Sequence, residues 1–353
     1  MSHKRRCRSL SFLTAAGLLA LTACGAPTGG SPATGGASAT GSSPAAPPKI
    51  PAVPEVQALV PDKYKSSGEL VFATNAPYAP LEFFKDDNKT LTGFDIDLGT
   101  AIAATMGLKA RWENISFDSI IPGLQAAKYD VGMAGFSVEH ERLDAMDFVS
   151  YYLSGGGFLI KKGSGIEVNA FDQLCGYRVA VQKGVSQVDA VTEASATCTK
   201  NGKKPVTVLQ IPDQNVVVLT LQSGRADIAV GDKPQVEYAA AHSGNAMCVI
   251  STYQTSHSIA GIAVPKGNTP LLKALQASIN SLIKSGGYAE IAKTWGTGVA
   301  VEGATLSADY EKVSAPWGVG PDGTVIESKI FTDPDEIKAG HTYYFQPVMK
   351  GCA

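Results

Sequence analysis

The stretch GFDIDLGTAIAATMG at residues 93–107 is the segment that reveals most about the fold of this chain. Leu98, Ile102 and Met106 recur every four residues, so they line one helix face and predict its burial against a core. Asp95 stands where a carboxylate can cap the helix N-terminus. A glycine before the helix supports a tight turn, and another follows at the usual C-terminal position. The segment therefore predicts an amphipathic helix in a larger core.

Short apolar runs alternate with helical patterns on both sides of this helix. Residues 70–74 and 108–113 are predicted strands that flank it, and the same alternation starts again at residue 177. Strands that alternate with helices favour α/β architecture with parallel sheets. Two α/β units of about 100 residues each fit the length better than one large sheet.

The overall composition excludes several classes of protein. The chain has 353 residues, is 44% hydrophobic and carries a formal net charge of −2. The apolar fraction is that of a globular protein, and the balanced charge argues against nucleic-acid binding by bulk attraction. The longest apolar stretch, residues 10–21, is shorter than the roughly 20 residues that a membrane-spanning helix needs.

The N-terminus is typical of an exported protein. Four cations precede the apolar stretch, and Leu21-Thr22-Ala23-Cys24 resembles a bacterial lipobox. We expect residues 1–23 to be removed as a signal peptide and Cys24 to receive a lipid anchor. The alternatives are an ordinary cleavage site with an incidental cysteine, or a buried N-terminal helix. The expected location is extracytoplasmic, anchored to the outer face of the bacterial cell membrane.

A low-complexity segment follows the predicted anchor. Residues 25–48 contain only Gly, Ala, Pro, Ser and Thr, which cannot bury enough apolar surface to fold. We therefore predict that residues 24–66, including the lipidated Cys24, form a flexible tether.

Residues 93–106 match the signature of the family 3 extracellular solute-binding proteins, the amino-acid receptors of ABC importers. The resemblance extends over about residues 69–296, because further short stretches agree with the family in order and spacing. They are Tyr78-Ala79-Pro80, Phe117-Asp118, residues 144–148, residues 224–227 and residues 288–291.

This resemblance implies an α/β fold of two lobes, the type II periplasmic-binding-protein fold. Lobe 1 would be discontinuous, with residues 67–157 and 263–300, and lobe 2 would comprise residues 158–262. Two hinge strands would cross between the lobes near Gly156–Lys161 and Ala260–Val264, and the ligand would lie in the cleft between them.

The family pattern also implies which residues hold the backbone groups of an amino acid. Arg142 matches the arginine that binds the ligand carboxylate, with backbone N–H donors from Ser137 and Ser186. Asp232 matches the aspartate that takes the ligand ammonium, together with the carbonyl of Gly135. The alternatives are an exposed, ion-paired helix arginine at 142 and a helix N-cap at Asp232.

The predicted side-chain pocket is polar with aromatic walls. Asn75 stands where the family often has an aspartate, which weakens the case for Arg or Lys as ligand, although Glu82 could restore the charge. We therefore expect a polar L-amino acid. For the aromatic residues, plain core packing is the alternative. The predicted pocket residues are Asn75, Tyr78, Phe117, Ala134, Glu82 and Gln182.

The cysteines indicate disulfides rather than a metal site. Cys175 precedes one strand and Cys198 follows the next helix, so a bridge between them would close an α/β unit in an oxidising compartment. Whether Cys248 and Cys352 pair, the sequence leaves open. No C-x₂-C spacing or paired histidines indicate a metal, and we expect no cofactor. Residues 301–353 extend past the family's usual end without an assignable role, although residues 342–345 could form a strand.

The sequence therefore predicts a monomeric, lipid-anchored receptor that delivers a polar amino acid to an ABC permease and its ATPase. A sensor that binds ligand and signals through a membrane partner is one alternative. A dehydratase-like enzyme on the same fold is another, since some relatives have that activity. Such an enzyme would need a general acid in the cleft, for which Glu82 and His140 are the candidates. We expect binding rather than catalysis.

Overall fold

The computed structural model describes residues 50–138, 140–168, 170–250, 257–295, 297, 305–306, 329–331, 343–345 and 352. The predicted signal peptide, Cys24 and the tether up to residue 49 lie outside these residues. Within them, no helix combines the length and apolar character that crossing a bilayer requires.

Lobe 1 is built on a mixed sheet with the strand order β4-β1-β5-β11-β6. The apolar run predicted as a strand is β1, whose parallel neighbours are β4 and β5, while β11 and β6 run antiparallel. A short hairpin, β2–β3, leads into the first long helix. The strands are β1 (Glu69–Thr74), β2 (Phe83–Phe84), β3 (Leu91–Thr92), β4 (Lys109–Asn114), β5 (Val131–Gly132), β6 (Met146–Lys161) and β11 (His257–Pro265).

Helices pack their apolar faces against this sheet. The signature segment forms α3, in which Leu98 and Ile102 are fully buried as the four-residue spacing predicts. Against it packs α9, whose Leu271, Leu275 and Ile279 are also fully buried. The helices of this lobe are α3 (Phe94–Thr105), α4 (Ile120–Gln125), α5 (His140–Ala145), α9 (Thr269–Ser285) and α10 (Gly287–Trp295).

Lobe 2 repeats the α/β pattern on a second group of strands. Its order is β6-β9-β7-β8, with β10 added beside β6. The strands β7, β8 and β9 run parallel and alternate along the chain with helices, which confirms the predicted α/β class. The elements are β7 (Arg178–Gln182), α6 (Gln187–Lys200), β8 (Thr207–Ile211), α7 (Gln214–Gln222), β9 (Ile228–Asp232), α8 (Lys233–Ala241) and β10 (Met247–Val249).

The strand β6 joins the two lobes. It pairs with β11 up to Gly155 and with β9 from Gly156 onward, so the chain crosses between these two residues. The crossing predicted at Ala260–Val264 is misplaced, because that stretch pairs with β6 inside the lobe 1 sheet. Residues 251–256, which precede β11, lie outside the described residues. We therefore propose that lobe 2 begins at residue 156 and that lobe 1 resumes at about residue 257.

Part of the predicted tether is folded. Residues 50–66 contribute α1 (Pro54–Leu59) and most of α2 (Asp62–Ser67), and the tether prediction is wrong for this part. Val56, Val60 and Tyr64, four residues apart, are each less than 5% exposed in the lobe 1 core. Their apolar side chains recur at helical spacing, which allows this segment to bury surface and fold.

The C-terminal extension contributes three short strands and one disulfide to the described part of the structure. The strand β12 (Thr305–Leu306) pairs with β6, and β13 (Lys329–Phe331) pairs with β14 (Tyr343–Phe345), where the sequence allows a strand. Cys352 forms a disulfide with Cys248 of β10, with Cα atoms 5.6 Å apart.

Lobe 2 holds the other disulfide. Cys175 and Cys198, the pair expected from the sequence, are joined with Cα atoms 5.5 Å apart. The bridge fastens the far end of α6 to the start of the lobe 2 sheet, so it lies away from the cleft between the lobes.

Candidate functional site

The predicted ligand residues come together in one pocket between the lobes. The carboxyl ends of β1, β5, β7 and β9 point toward the same crevice, where α/β sheets commonly bind ligands. The pocket is lined by Asn75, Tyr78, Glu82, Phe117, Ala134, Gly135, Ser137, Arg142, Gln182, Val185, Ser186, Gln187 and Asp232.

Arg142 presents its guanidinium to this pocket from α5. Its Nη1 donates to the carbonyl of Ser137 at 2.7 Å, and its Nη2 donates to the carbonyl of Gly184 in lobe 2 at 3.0 Å. The guanidinium carbon lies 5.6 Å from the ring centre of Phe117 and 5.5 Å from that of Phe136. The two rings and two carbonyls fix the plane of the cation, which suits it to bidentate recognition of a carboxylate.

Asp232 ends β9 and faces the pocket from lobe 2. Its carboxylate accepts hydrogen bonds from Tyr78 Oη at 2.6 Å and from Gln187 Nε2 at 2.8 Å. Although it occupies the N-cap position of α8, its side chain does not cap that helix. Burial, together with the charge of Asp232, raises the pKa of Tyr78 well above its usual value, so the phenol stays a donor. The pocket thus holds a buried anion and, on α5, a cation.

Ser186 occupies the N-cap position of α6, a 14-residue helix. A backbone N–H group at such a helix start is suited to an anion, because the donors of the first turn have no partner within the helix. Gln187, the first residue of α6, and Val185 are pocket residues that the sequence does not predict. The glycine-containing turn after β7 was the available signal for both, since it places the helix start at the pocket.

The polar side-chain wall is formed by contacts across the cleft. Asn75 follows β1, donates to the carbonyl of Ile115 at 2.8 Å, and accepts a hydrogen bond from Gln182 Nε2 of lobe 2 at 2.8 Å. Gln182 also donates to the carbonyl of Pro212 at 3.2 Å. These amides are therefore fixed in orientation and can present polar groups to a ligand side chain.

Glu82 is a buried acid in the pocket wall, 1% exposed. Burial, followed by the neighbouring charges of Asp95 and Asp232, raises its pKa well above the usual value. The buried carboxyl group of Asp95 is thus one of the groups that disfavour a charge on Glu82. Because like charges in one buried site disfavour each other, Glu82 holds its proton to higher pH than a free glutamate does.

Asp95 does not cap α3 as predicted; Gly93 holds the N-cap position. Its carboxylate is fully buried and accepts hydrogen bonds from Tyr151 Oη at 2.7 Å and from the N–H of Gly135 at 3.1 Å. Burial raises the pKa of Asp95 to about 6, although these two bonds act to lower it. Asp95 thus holds the pocket backbone at Gly135, which is consistent with a structural role for the signature.

The arrangement is suited to binding a zwitterion, with polar and acidic groups beside it for a further side chain. Among the described residues, no group of His, Cys, Asp and Glu side chains is arranged to hold a metal ion.

The chain is similar to known bacterial solute-binding proteins. Residues 70–298 match the family profile of bacterial extracellular solute-binding proteins, family 3. The arginine-binding protein ArgT of Corynebacterium glutamicum is 32% identical over 243 residues, which cover 69% of this chain and 79% of that protein.

Solved structures resemble the chain at similar identity. An ancestral arginine-binding protein bound to arginine has 31% identity and a TM-score of 0.59, covering 65% of this chain and 98% of that one. The ancestral amino-acid-binding protein AncCDT-1, a precursor of cyclohexadienyl dehydratase, has 29% identity and a TM-score of 0.60, covering 67% and 99%.

Proposed function

Because the chain belongs to the bacterial extracellular solute-binding proteins of family 3, we propose that it captures a polar L-amino acid for an ABC importer. The observation that carries this proposal is the placement of Arg142 and Asp232 in one pocket between the lobes. The cation fits the ligand carboxylate, and the buried anion fits the ligand ammonium. Ser137, Ser186 and Gly135 would supply the backbone donors and acceptor around them.

Arginine is the first ligand to test. ArgT and the ancestral protein are named as arginine-binding, and Glu82 places an acid in the pocket although Asn75 is neutral. A guanidinium beside Glu82 would stabilise the ionised carboxylate and expel its proton. A neutral side chain such as that of glutamine would instead bond to the protonated acid and to the amides of Asn75 and Gln182. Both ligands keep the same backbone contacts.

A calorimetric titration of the purified chain, stripped of ligand, tests the proposal. We expect one or a few polar amino acids to bind with micromolar or tighter Kd, and Arg142→Met to weaken binding at least about 30-fold, since an unpaired buried charge costs 2 kcal/mol or more. Arg111→Met is the matched control, because Arg111 is an exposed arginine of β4 that pairs with Glu69 and Glu113. Absence of binding by all twenty amino acids would contradict the proposal.

The same titration distinguishes the ligand classes. If arginine ionises Glu82, the observed heat depends on the ionisation enthalpy of the buffer, because a proton is released. Glutamine predicts no such dependence at the same pH. Arginine binding without proton release would show that the guanidinium lies away from Glu82.

We further propose that Cys24 carries the lipid anchor and that the ligand-bound form delivers the amino acid to the permease, which an ATPase drives. Metabolic labelling with a radioactive fatty acid tests the anchor, and Cys24→Ala should abolish the label.

Uptake of the bound amino acid should be lost in cells that lack the chain. Retained uptake would instead favour the sensor alternative.

Binding rather than catalysis is proposed for the cleft. AncCDT-1, a precursor of a dehydratase, resembles this chain, and burial raises the pKa of Glu82 in the pocket wall. Glu82 is therefore the candidate general acid of the dehydratase alternative. However, a cation at Arg142 and an anion at Asp232 in the same pocket are suited to the two charged groups of an intact amino acid. Turnover of a cyclohexadienyl acid that is lost in Glu82→Gln would overturn the binding proposal.

A further inference from the structure

The loop that follows β7 carries contacts to lobe 1 outside the pocket. Lys183 Nζ lies 2.7 Å from Asp118 Oδ2, which belongs to the short 3₁₀ turn after β4. Among the described residues that line the pocket, neither Lys183 nor Asp118 is included, although their neighbours Gln182 and Phe117 are. The ion pair therefore bridges the lobes at the rim of the cleft.

The backbone is shaped to bring these two groups together. Gly184 has φ +81°, and a Cβ atom at this position would lie 3.3 Å from Asp118 Cβ. Glycine thus permits both the left-handed turn and the close approach of the loop to lobe 1. The carbonyl of Gly184 accepts the hydrogen bond from Arg142, so the loop that holds Lys183 also positions the predicted carboxylate-binding cation.

We propose that the Lys183–Asp118 pair is a closure latch, which strengthens ligand binding by stabilising the closed lobes without touching the ligand. This inference rests on the proposed binding function. A contact that exists only when the lobes are closed shifts the open–closed equilibrium, and the apparent affinity follows the closed fraction. The side chains are 59% and 37% exposed, so the expected effect is that of an exposed pair, about 1.5- to 5-fold in Kd.

Calorimetric titration of the full chain with L-arginine, or with L-glutamine where arginine does not bind, tests the latch. Asp118→Asn and Lys183→Met should each weaken binding about 1.5- to 5-fold, and the double variant should be no weaker than the weaker single one. The charge exchange Asp118→Lys with Lys183→Asp should recover at least half of the loss. One molar salt should weaken wild-type binding more than binding by the double variant.

Arg178→Met is the matched control. Arg178 and Asp227 form an ion pair of comparable exposure, at 45% and 29%, but both residues belong to lobe 2. Its loss should lower thermal stability slightly and leave Kd unchanged, because it is present in the open and the closed forms alike.

Amide hydrogen exchange of the ligand-free chain gives a second measurement that does not depend on binding. Asp118→Asn and Lys183→Met should speed exchange of the amides at residues 183–187, and Arg178→Met should not. Unchanged Kd and exchange in both latch variants would overturn the proposal. So would weakened binding in Lys183→Met alone, because it would place Lys183 on the ligand. If the wild type binds no amino acid, the proposed function fails and exchange alone decides on the latch.

Discussion

Replacing Glu82 with glutamine should make the protein more stable at neutral pH, and the gain should grow as the pH rises. Glutamine has nearly the shape of a protonated glutamate and carries no charge at any pH. The wild-type residue is 1% exposed, and burial raises its pKa well above the 4.5 of a free glutamate. The folded protein must therefore keep a proton on Glu82 over a pH range in which the unfolded chain releases it.

The sign and slope follow from proton linkage. A carboxyl group whose pKa is raised by folding contributes full stability below pH 4.5 and loses it as the pH rises toward the folded-state pKa. Over that range, wild-type stability falls by about 1.4 kcal/mol per pH unit relative to a variant that does not titrate. Near pH 4.5, Glu82→Gln and the wild type should be nearly equal in stability.

Urea unfolding of both proteins at unit steps from pH 5 to pH 8 measures this difference. Glu193→Gln is the control, because Glu193 is exposed on α6, and its stability curve should run parallel to that of the wild type. Parallel curves for Glu82→Gln and the wild type would refute the reasoning. A variant that becomes less stable relative to the wild type as the pH rises would refute it equally, because it would show that Glu82 is ionised and stabilised by a partner.

Other substitutions test the backbone turn, the buried hydrogen bond and the disulfide that support the fold around the pocket. Gly93→Ala should destabilise the fold by at least about 3 kcal/mol in urea unfolding. Gly93 has φ +132°, and a Cβ atom there would lie 2.1 Å from the carbonyl oxygen of Leu81. A loss of stability below about 1 kcal/mol would contradict that geometry. Tyr151→Phe removes a donor from a buried carboxylate and should cost about 2 kcal/mol at pH 8, with a smaller loss at pH 5, by the same assay. Replacing both Cys175 and Cys198 with serine should lower the free energy of unfolding by about 3 kcal/mol, the loop-closure value for their 23-residue separation. The Kd measured by calorimetry should not change. A changed Kd would show that the disulfide influences the cleft.

Much of the fold could be predicted because local pattern decides it. Leu98 and Ile102 repeat at helical spacing, and α3 buries them. The alternation of short apolar runs with helical patterns correctly predicted the α/β class. The resemblance carried the prediction further, since every proposed ligand residue lines the same pocket. Their individual roles in binding stay predictions until a ligand is measured.

Other features depend on contacts between distant parts of the chain. Asp95 was expected to cap its own helix, yet its partners are Tyr151 and Gly135, which are remote in sequence. Gln187 joins the site only because α6 starts beside β9. The hinge lies where β6 changes its pairing partner, which is a property of strand register and not of composition.

The sequence by itself therefore determined the class of fold and the family, because helical spacing, apolar runs and short motifs are local properties of the chain. The tertiary structure decided which acids are buried near one another, which side chains bond to Asp232, and where the lobes touch. These outcomes depend on burial and on the meeting of groups such as Tyr78 and Asp232, 154 residues apart. Desolvation and charge pairing act through space, so no local pattern records them.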